Sequence, residues 1–512
     1  MNRLNILSFA FFLALMQVQA QQKHPLPWFK DYQQQNKATI LQDYIDFIAI
    51  PNIAVNKIAL QNNAEYLMRL MQSAGIEHTR FLFPEDESAP PVVYGEIIVP
   101  GARQTIVFYA HYDGQPVDSA NWHIGLHPFQ PALYSNKIEL GGKPLTKDEF
   151  INNLQDEFRI YARGAADDKA GVMAIINAYI ALKKKNIAPA VNVKFFFEGE
   201  EEAGSPHLAE VLFKYKNLLR SDVWIICDGP QPSSGKNLIS FGVRGDTHID
   251  ITLYGSKFPL HSGHYGNWAP NPAWNLVRLL SSMKNDSGYV TIKNFYSDVT
   301  PLSNLEKNVL AQLDQNDTEL KHQFGFIMPE MKNIALSEAI LLPTLNINGI
   351  ESGKFGALST NSIPATASVS LDLRLVPGND YKVQQERVIK HIQDKGYYII
   401  NRDPTDVERM AHPFIAKIIC SDGYNAQKTP MDLAVSQQII RALAATSTKG
   451  LVIMPSTGGS LPLYVIEQQL NAKAISIPIA NYDDNQHASN ENIQMGNFWN
   501  GIQEIISIMI MQ

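Results

Sequence analysis

Residues 105–113 read Thr105-Ile106-Val107-Phe108-Tyr109-Ala110-His111-Tyr112-Asp113, an apolar run that stops on a histidine and an aspartate two positions apart. A short apolar run rich in β-branched and aromatic side chains predicts a buried strand. Two further runs have the same build: Val191 to Phe197 leads to Glu200-Glu201-Glu202, and the stretch ending at Cys227 leads to Asp228. Between the first and second runs Val172, Ile175, Ile176, Tyr179 and Ile180 recur at helical spacing, and Lys183 to Lys185 suit the negative end of a helix dipole. Asp167-Asp168 therefore opens a helix. Strands alternating with helices predict an α/β fold with a mixed, largely parallel sheet. Ligands bind such sheets beyond the carboxyl ends of the strands, where all three clusters fall.

Working outward, the segment from Pro25 to about Arg80 predicts two amphipathic helices around a turn at Pro51-Asn52. Val92 to Val99 and Thr105 to Ala110, separated by Pro100-Gly101, read as a hairpin or as neighbouring strands. Gln115 to Phe158 is loop-rich, punctuated by Pro116, Pro128, Pro131 and Pro144. The pattern changes near residue 240, where Thr247 to Leu253 alternates, a helix follows near Pro272 to Met283, and Ala367 to Leu375 and Tyr397 to Asn401 read as strands. This predicts an inserted α+β domain at 240–425 between two parts of one catalytic domain, 21–239 and 426–512.

Length and composition narrow the class. A chain of 512 residues exceeds one ordinary core. With 45% apolar and 18% charged residues it reads as globular, and a formal net charge of -7 offers no electrostatic footing for nucleic acid. Arg3, the apolar stretch Ile6 to Met16 and Val18-Gln19-Ala20 read as a signal peptide over residues 1–20. The stretch is shorter than the roughly 18 residues a membrane span needs, so the expectation is an exported, periplasmic or secreted protein with no membrane association after cleavage. Cys227 and Cys420 are the two cysteines, too few for a disulfide framework.

Zinc takes imidazole nitrogen and carboxylate oxygen, and two zinc ions roughly 3.5 to 4 Å apart can clamp a substrate oxygen. His111, Asp167, Glu202, Asp228 and His487 supply one bridging carboxylate and two ligands for each ion. Glu201 is left over, and a carboxylate beside the metals is what a hydrolase needs to take the proton of the attacking water. Asp113 lies on the same side of an extended segment as His111 and is expected to hold the other imidazole nitrogen.

The segments His111-Tyr112-Asp113, Arg163-Gly164-Ala165-Ala166-Asp167-Asp168-Lys169, Glu198-Gly199-Glu200-Glu201-Glu202-Ala203-Gly204-Ser205, Cys227-Asp228 and His487-Ala488-Ser489-Asn490-Glu491 occur in this order. As a set, from about Leu41 onward, the chain resembles the zinc exopeptidases that include carnosine-type dipeptidases, aminoacylases, glutamate carboxypeptidases and succinyl-diaminopimelate desuccinylases. The resemblance implies two zinc ions per subunit, with manganese or cobalt as alternatives. In it His111 and Asp228 ligate separate ions, Asp167 bridges, Glu202 and His487 complete the sites, and Glu201 is the base. It further implies that the inserted domain is a dimerisation (lid) domain of a homodimer. His261, in Leu260-His261-Ser262-Gly263, would stabilise the oxyanion, in cis or in trans, while Arg374 and Ser460 would bind the substrate carboxylate and Asn361 would add a contact.

The function these readings imply is an exported di-zinc metallopeptidase cleaving dipeptides or similar small amides with a free carboxylate. A deacylase of N-acyl amino acids and a non-catalytic exported binding protein are the alternatives.

Overall fold

The computed structural model describes residues 26–313, 317–459 and 463–512. The segment read as a signal peptide, and Ser460, lie outside the described residues. The chain divides into two compact units. The first runs to Ile239 and resumes over Pro430–Ile453 and Gln468–Gln512; the second comprises Ser240–Thr429 and Met454–Glu467.

The first unit is built on an eight-stranded sheet. Its strands are β1 (Glu77–Leu82), β2 (Val92–Ile97), β3 (Thr105–His111), β4 (Asn192–Glu198), β5 (Val223–Ile226), β6 (Asn237–Ser240), β7 (Leu451–Met454) and β8 (Lys473–Ser476), in spatial order β1-β2-β4-β3-β5-β8-β6-β7. Four adjacent strands, β4, β3, β5 and β8, are parallel. β2 and β3 are not neighbours as the hairpin reading expected. β4 lies between them, antiparallel to β2 and parallel to β3, because β3 is buried along its length and gains partners on both edges by moving to the middle of the sheet.

Both faces of the central strands are covered, which is why they read as continuous apolar runs rather than alternating ones. Phe195, Phe196, Phe197 and Trp224 are fully buried, and the rings of Phe196 and Trp224 meet at 4.9 Å. Each such side chain contributes roughly 1.5 to 3 kcal/mol by leaving water. Helices α1 (Phe29–Ile48), α2 (Lys57–Ala74), α3 (Lys169–Lys184), α4 (Ala434–Thr446) and α5 (Met495–Met509) pack around the sheet. α3 and α5 are buried along most of their length and pack on one another.

The second unit contains a five-stranded sheet in the order Thr344–Glu351, Thr366–Leu375, Gly245–Tyr254, Ile415–Cys420, Tyr398–Ile400. Its core joins Ile249, Ile251 and Leu253 to Val369, Leu371, Leu373 and to Leu276 and Leu279 of helix Pro272–Ser281. The unit reaches beyond the expected 240–425. Gln427–Lys428 pairs with Gly242–Val243, and Phe241, Gly242 and Arg244 exchange backbone hydrogen bonds with Met454, Thr457 and Gly459, which ties the later segment to it.

Candidate metal centre

The adjacency of β4, β3 and β5 decides the site. His111 is the last residue of β3, the turn Glu201–Ala203 follows β4, and Asp228 lies just past β5. Parallel neighbours end on the same edge, so these side chains arrive together. Asp167 comes from the loop entering α3, and His487 from the connection between β8 and the short strand Asn492–Gln494. Gly164 has φ +75, and a Cβ at Gly171 would stand 2.4 Å from an Asp168 oxygen, so both glycines are needed to seat the Asp167 loop against α3.

Asp167 presents its two oxygens to two imidazoles. Oδ1 is 2.9 Å from Nε2 of His111, and Oδ2 is 3.0 Å from Nε2 of His487. Asp228 Oδ2 is 3.9 Å from the same His111 nitrogen, and Glu202 Oε2 is 3.2 Å from that of His487. Two groups result, His111 with Asp167 and Asp228, and Asp167 with Glu202 and His487; the donor atoms within each lie within 4.8 Å of one another. Glu201 belongs to neither, yet its Oε2 is 3.9 Å from His111 Nε2 and its side chain is only 15% exposed.

The charge balance of this cluster fits two divalent cations. Burial pushes Asp228 up to about 7, with Asp167 adding to the shift and His111 opposing it. Glu201 is driven well above the usual carboxylate range by burial, with Asp228, Glu202 and Asp167 adding to the shift and His111 opposing. The imidazoles respond in kind: His487 is raised to about 10 by hydrogen bonds to Asp167 and Glu202. His111 is burdened by burial yet still raised well above its ordinary value by Asp113 and Asp167. Burial opposes ionisation of Asp167 too, but hydrogen bonds from His111 and His487 hold it below its ordinary value. Protons thus gather where positive charge is wanting, and Asp228 Oδ1 is buried with no hydrogen-bond partner among the described residues. Carboxylate oxygen and imidazole nitrogen at this density suit zinc, and also manganese or cobalt.

The supporting contacts go beyond what the residue pattern predicted. Asp113 sits 3.3 Å from Nδ1 of His111 and also accepts the backbone N–H groups of Glu201 at 3.2 Å and Glu202 at 2.9 Å. Fully buried Glu491 accepts from the backbone nitrogens of Gly164, Ala166 and Asp167 and pairs with Arg163 at 2.7 Å. Asp168 accepts from the His111 backbone N–H at 3.2 Å. Glu200 pairs with His207 at 2.8 Å and pins the acidic turn. The signal for Glu491 was its place four residues after His487, with an arginine four before Asp167.

His261, Asn361 and Arg374 lie in the second unit. His261 is exposed, on a two-stranded ladder where Leu260–His261 pairs with Ser362–Ile363, and Asn361 accepts the Ser262 N–H at 2.9 Å. The His261 ring accepts from Gly263 and lies 4.6 Å from that of His264. Arg374 Nε is held 3.2 Å from Asp372 and 3.6 Å from Asp246. Those two carboxylates and His248 form a third ligand-like group, but the guanidinium already serves as its cation.

A mixed sheet at whose edge an aspartate from a helix-opening loop is shared between two histidine-carboxylate groups defines a dinuclear hydrolase. The chain belongs to the peptidase family M20/M25/M40, whose model matches residues 107–510. It is similar to the Beta-Ala-His dipeptidase of Homo sapiens, 28% identical over 451 residues that cover 86% of this chain and 81% of that protein. It is also similar to the Cys-Gly metallodipeptidase dug1 of Schizosaccharomyces pombe, 26% identical over 429 residues, 82% of each. Among solved structures it resembles the M20 family metallo-carboxypeptidase Sso-CP2 from Sulfolobus solfataricus, with a TM-score of 0.71, 28% identity and coverage of 92% of this chain and 98% of that one. Human carnosine dipeptidase 1 shares the fold, with a TM-score of 0.70 at 22% identity and coverage of 96% and 99%.

Proposed function

We propose that this protein is an exported dinuclear metallodipeptidase that hydrolyses the amide bond of dipeptides or similarly small substrates bearing a free carboxylate. The observation that carries the reading is Asp167 shared between two ligand groups, with Glu201 beside them and outside both. His111, Asp167 and Asp228 would hold one ion, and Asp167, Glu202 and His487 the other. When bound, two zinc ions polarise the scissile carbonyl and acidify the attacking water. Glu201 takes that water's proton and passes it to the departing amine. Asp113 keeps the His111 imidazole oriented and fixes the turn that carries the base.

The substrates in the relatives' names, Beta-Ala-His and Cys-Gly, favour a dipeptide over an N-acyl amino acid. Assaying a dipeptide panel beside N-acetyl amino acids with zinc-loaded protein tests this, and exclusive cleavage of the N-acetyl compounds would contradict it. The carboxylate-binding roles of Arg374 and Ser460, the contact from Asn361 and the oxyanion role of His261 belong to the same proposal. Their support is chemical: a guanidinium fork, a hydroxyl, an amide and an imidazole suit those groups. A rise in KM for Arg374→Ala, against a fall in kcat for His261→Ala, is the expected division.

Assembly as a homodimer through the second unit is part of the reading. Its edge strand Thr344–Glu351 exposes Ile347 and Ile350, and helix Pro272–Ser281 exposes Trp274 and Val277. An apolar edge of this kind is ordinarily covered by a partner. Sedimentation velocity of wild type and Trp274→Asp tests it, and a wild-type monomer at micromolar concentration would overturn it. Export rests on residues 1–20, and the mature protein is expected to begin at Gln21.

A further inference from the structure

Two glutamines reach the ligand oxygens on one side of the centre only. Gln486 Nε2 donates to Asp167 Oδ2 at 2.9 Å, and Gln115 Nε2 donates to Glu202 Oε2 at 2.7 Å. These are the same two oxygens that face His487 Nε2, at 3.0 and 3.2 Å. Among the described residues no amide side chain donates to Asp228, whose Oδ1 finds no hydrogen-bond partner there. The two groups also differ in their footing. His111 and Asp228 stand at the ends of buried strands, 0% and 7% exposed, whereas the His487 side chain is 52% exposed on a loop and has φ 59, a backbone conformation few side chains favour.

The geometry points to Gln115 and Gln486 as positioning residues for the second cation, the one held by Asp167, Glu202 and His487. The inference rests on the dinuclear reading above. Each carboxylate oxygen has two lone pairs, so an amide N–H on one fixes the oxygen's direction and leaves the other for the ion. A neutral amide does this without the positive charge by which lysine or arginine would compete with the cation. Where the strand ends pre-organise the first group through the backbone, the amides pre-organise the second through its side chains.

Zinc titration of metal-stripped wild type, Gln115→Ala, Gln486→Ala and Gln486→Met by calorimetry, with metal counted on dialysed protein, tests this. Wild type is expected to take two ions. Each alanine variant should bind the first as wild type does, a check that it is folded, and the second about 10- to 100-fold more weakly. Gln486→Met keeps the bulk and loses the donor, and should match Gln486→Ala. Wild-type affinity for the second ion in Gln486→Met, or unchanged or tighter second-ion binding in the alanine variants, overturns the inference, because the amides would then be standing where the cation goes. Fewer than two ions in wild type would overturn the dinuclear reading itself.

Discussion

One oxygen of Asp113 accepts the backbone N–H of Glu202 at 2.9 Å, so the residue two positions after one candidate ligand is hydrogen-bonded to the main chain of another. The carboxylate also faces His111 Nδ1 at 3.3 Å and takes the Glu201 N–H. Strand β3 and the acidic turn after β4 are thereby coupled through one fully buried side chain. Removing it frees the imidazole and the turn together. Asp113→Ala is expected to weaken zinc binding by about 10- to 100-fold and to lower kcat, as metal titration beside turnover would measure. Asp113→Asn keeps the volume but offers only one acceptor oxygen, and should fall between.

Glu201 stands apart from both ligand groups. Glu201→Gln should therefore keep two zinc ions while losing about 10²- to 10⁴-fold in kcat. Metal content measured on the inactive variant separates a lost base from a lost ligand.

Glu491 carries the Asp167 loop. It is fully buried, pairs with Arg163 and takes three backbone N–H groups. Glu491→Ala strands a buried guanidinium and should cost about 3 to 5 kcal/mol in denaturant unfolding of the metal-free protein. A loss below about 1 kcal/mol would mean that the loop is held by other contacts.

Glu504 lies inside the buried helix α5, and burial pushes its carboxyl well above the usual range, with a hydrogen bond to Asn237 opposing the shift. A raised folded-state pKa means that the folded chain holds the proton more tightly than the unfolded chain. Its contribution to stability is thus fully present below the unfolded value near 4.5 and is lost as pH rises toward the folded one. Glu504→Gln removes this pH dependence. The variant should gain on wild type by about 1.4 kcal/mol per pH unit across that window, and denaturant unfolding at a series of pH values would measure it.

The α/β class, the family and the gathering of His111, Asp167, Glu202, Asp228 and His487 with Glu201 beside them were legible because each depends on local pattern. An apolar run ending in a histidine or carboxylate announces both a strand and what stands at its end. Strand order was not legible: β2 and β3 are adjacent in sequence, but burial of β3 on both faces draws β4 between them. Gln115, Gln486 and Glu491 were missed for a related reason. An amide or a glutamate in a loop carries no periodic signal, and its role arises only when distant loops meet at one carboxylate or one run of backbone N–H groups. The second boundary shifted because the tie between residues 241–244 and 454–459 is a set of backbone hydrogen bonds, which side-chain pattern does not reveal.

Anomalous diffraction at the zinc edge from crystals of the zinc-loaded protein bears most directly on the shared Asp167. Two peaks roughly 3.5 to 4 Å apart are expected, one beside His111 and Asp228 and the other beside Glu202 and His487, with Asp167 between them. A single peak, or a pair that leaves Asp167 on one ion only, would contradict the dinuclear centre.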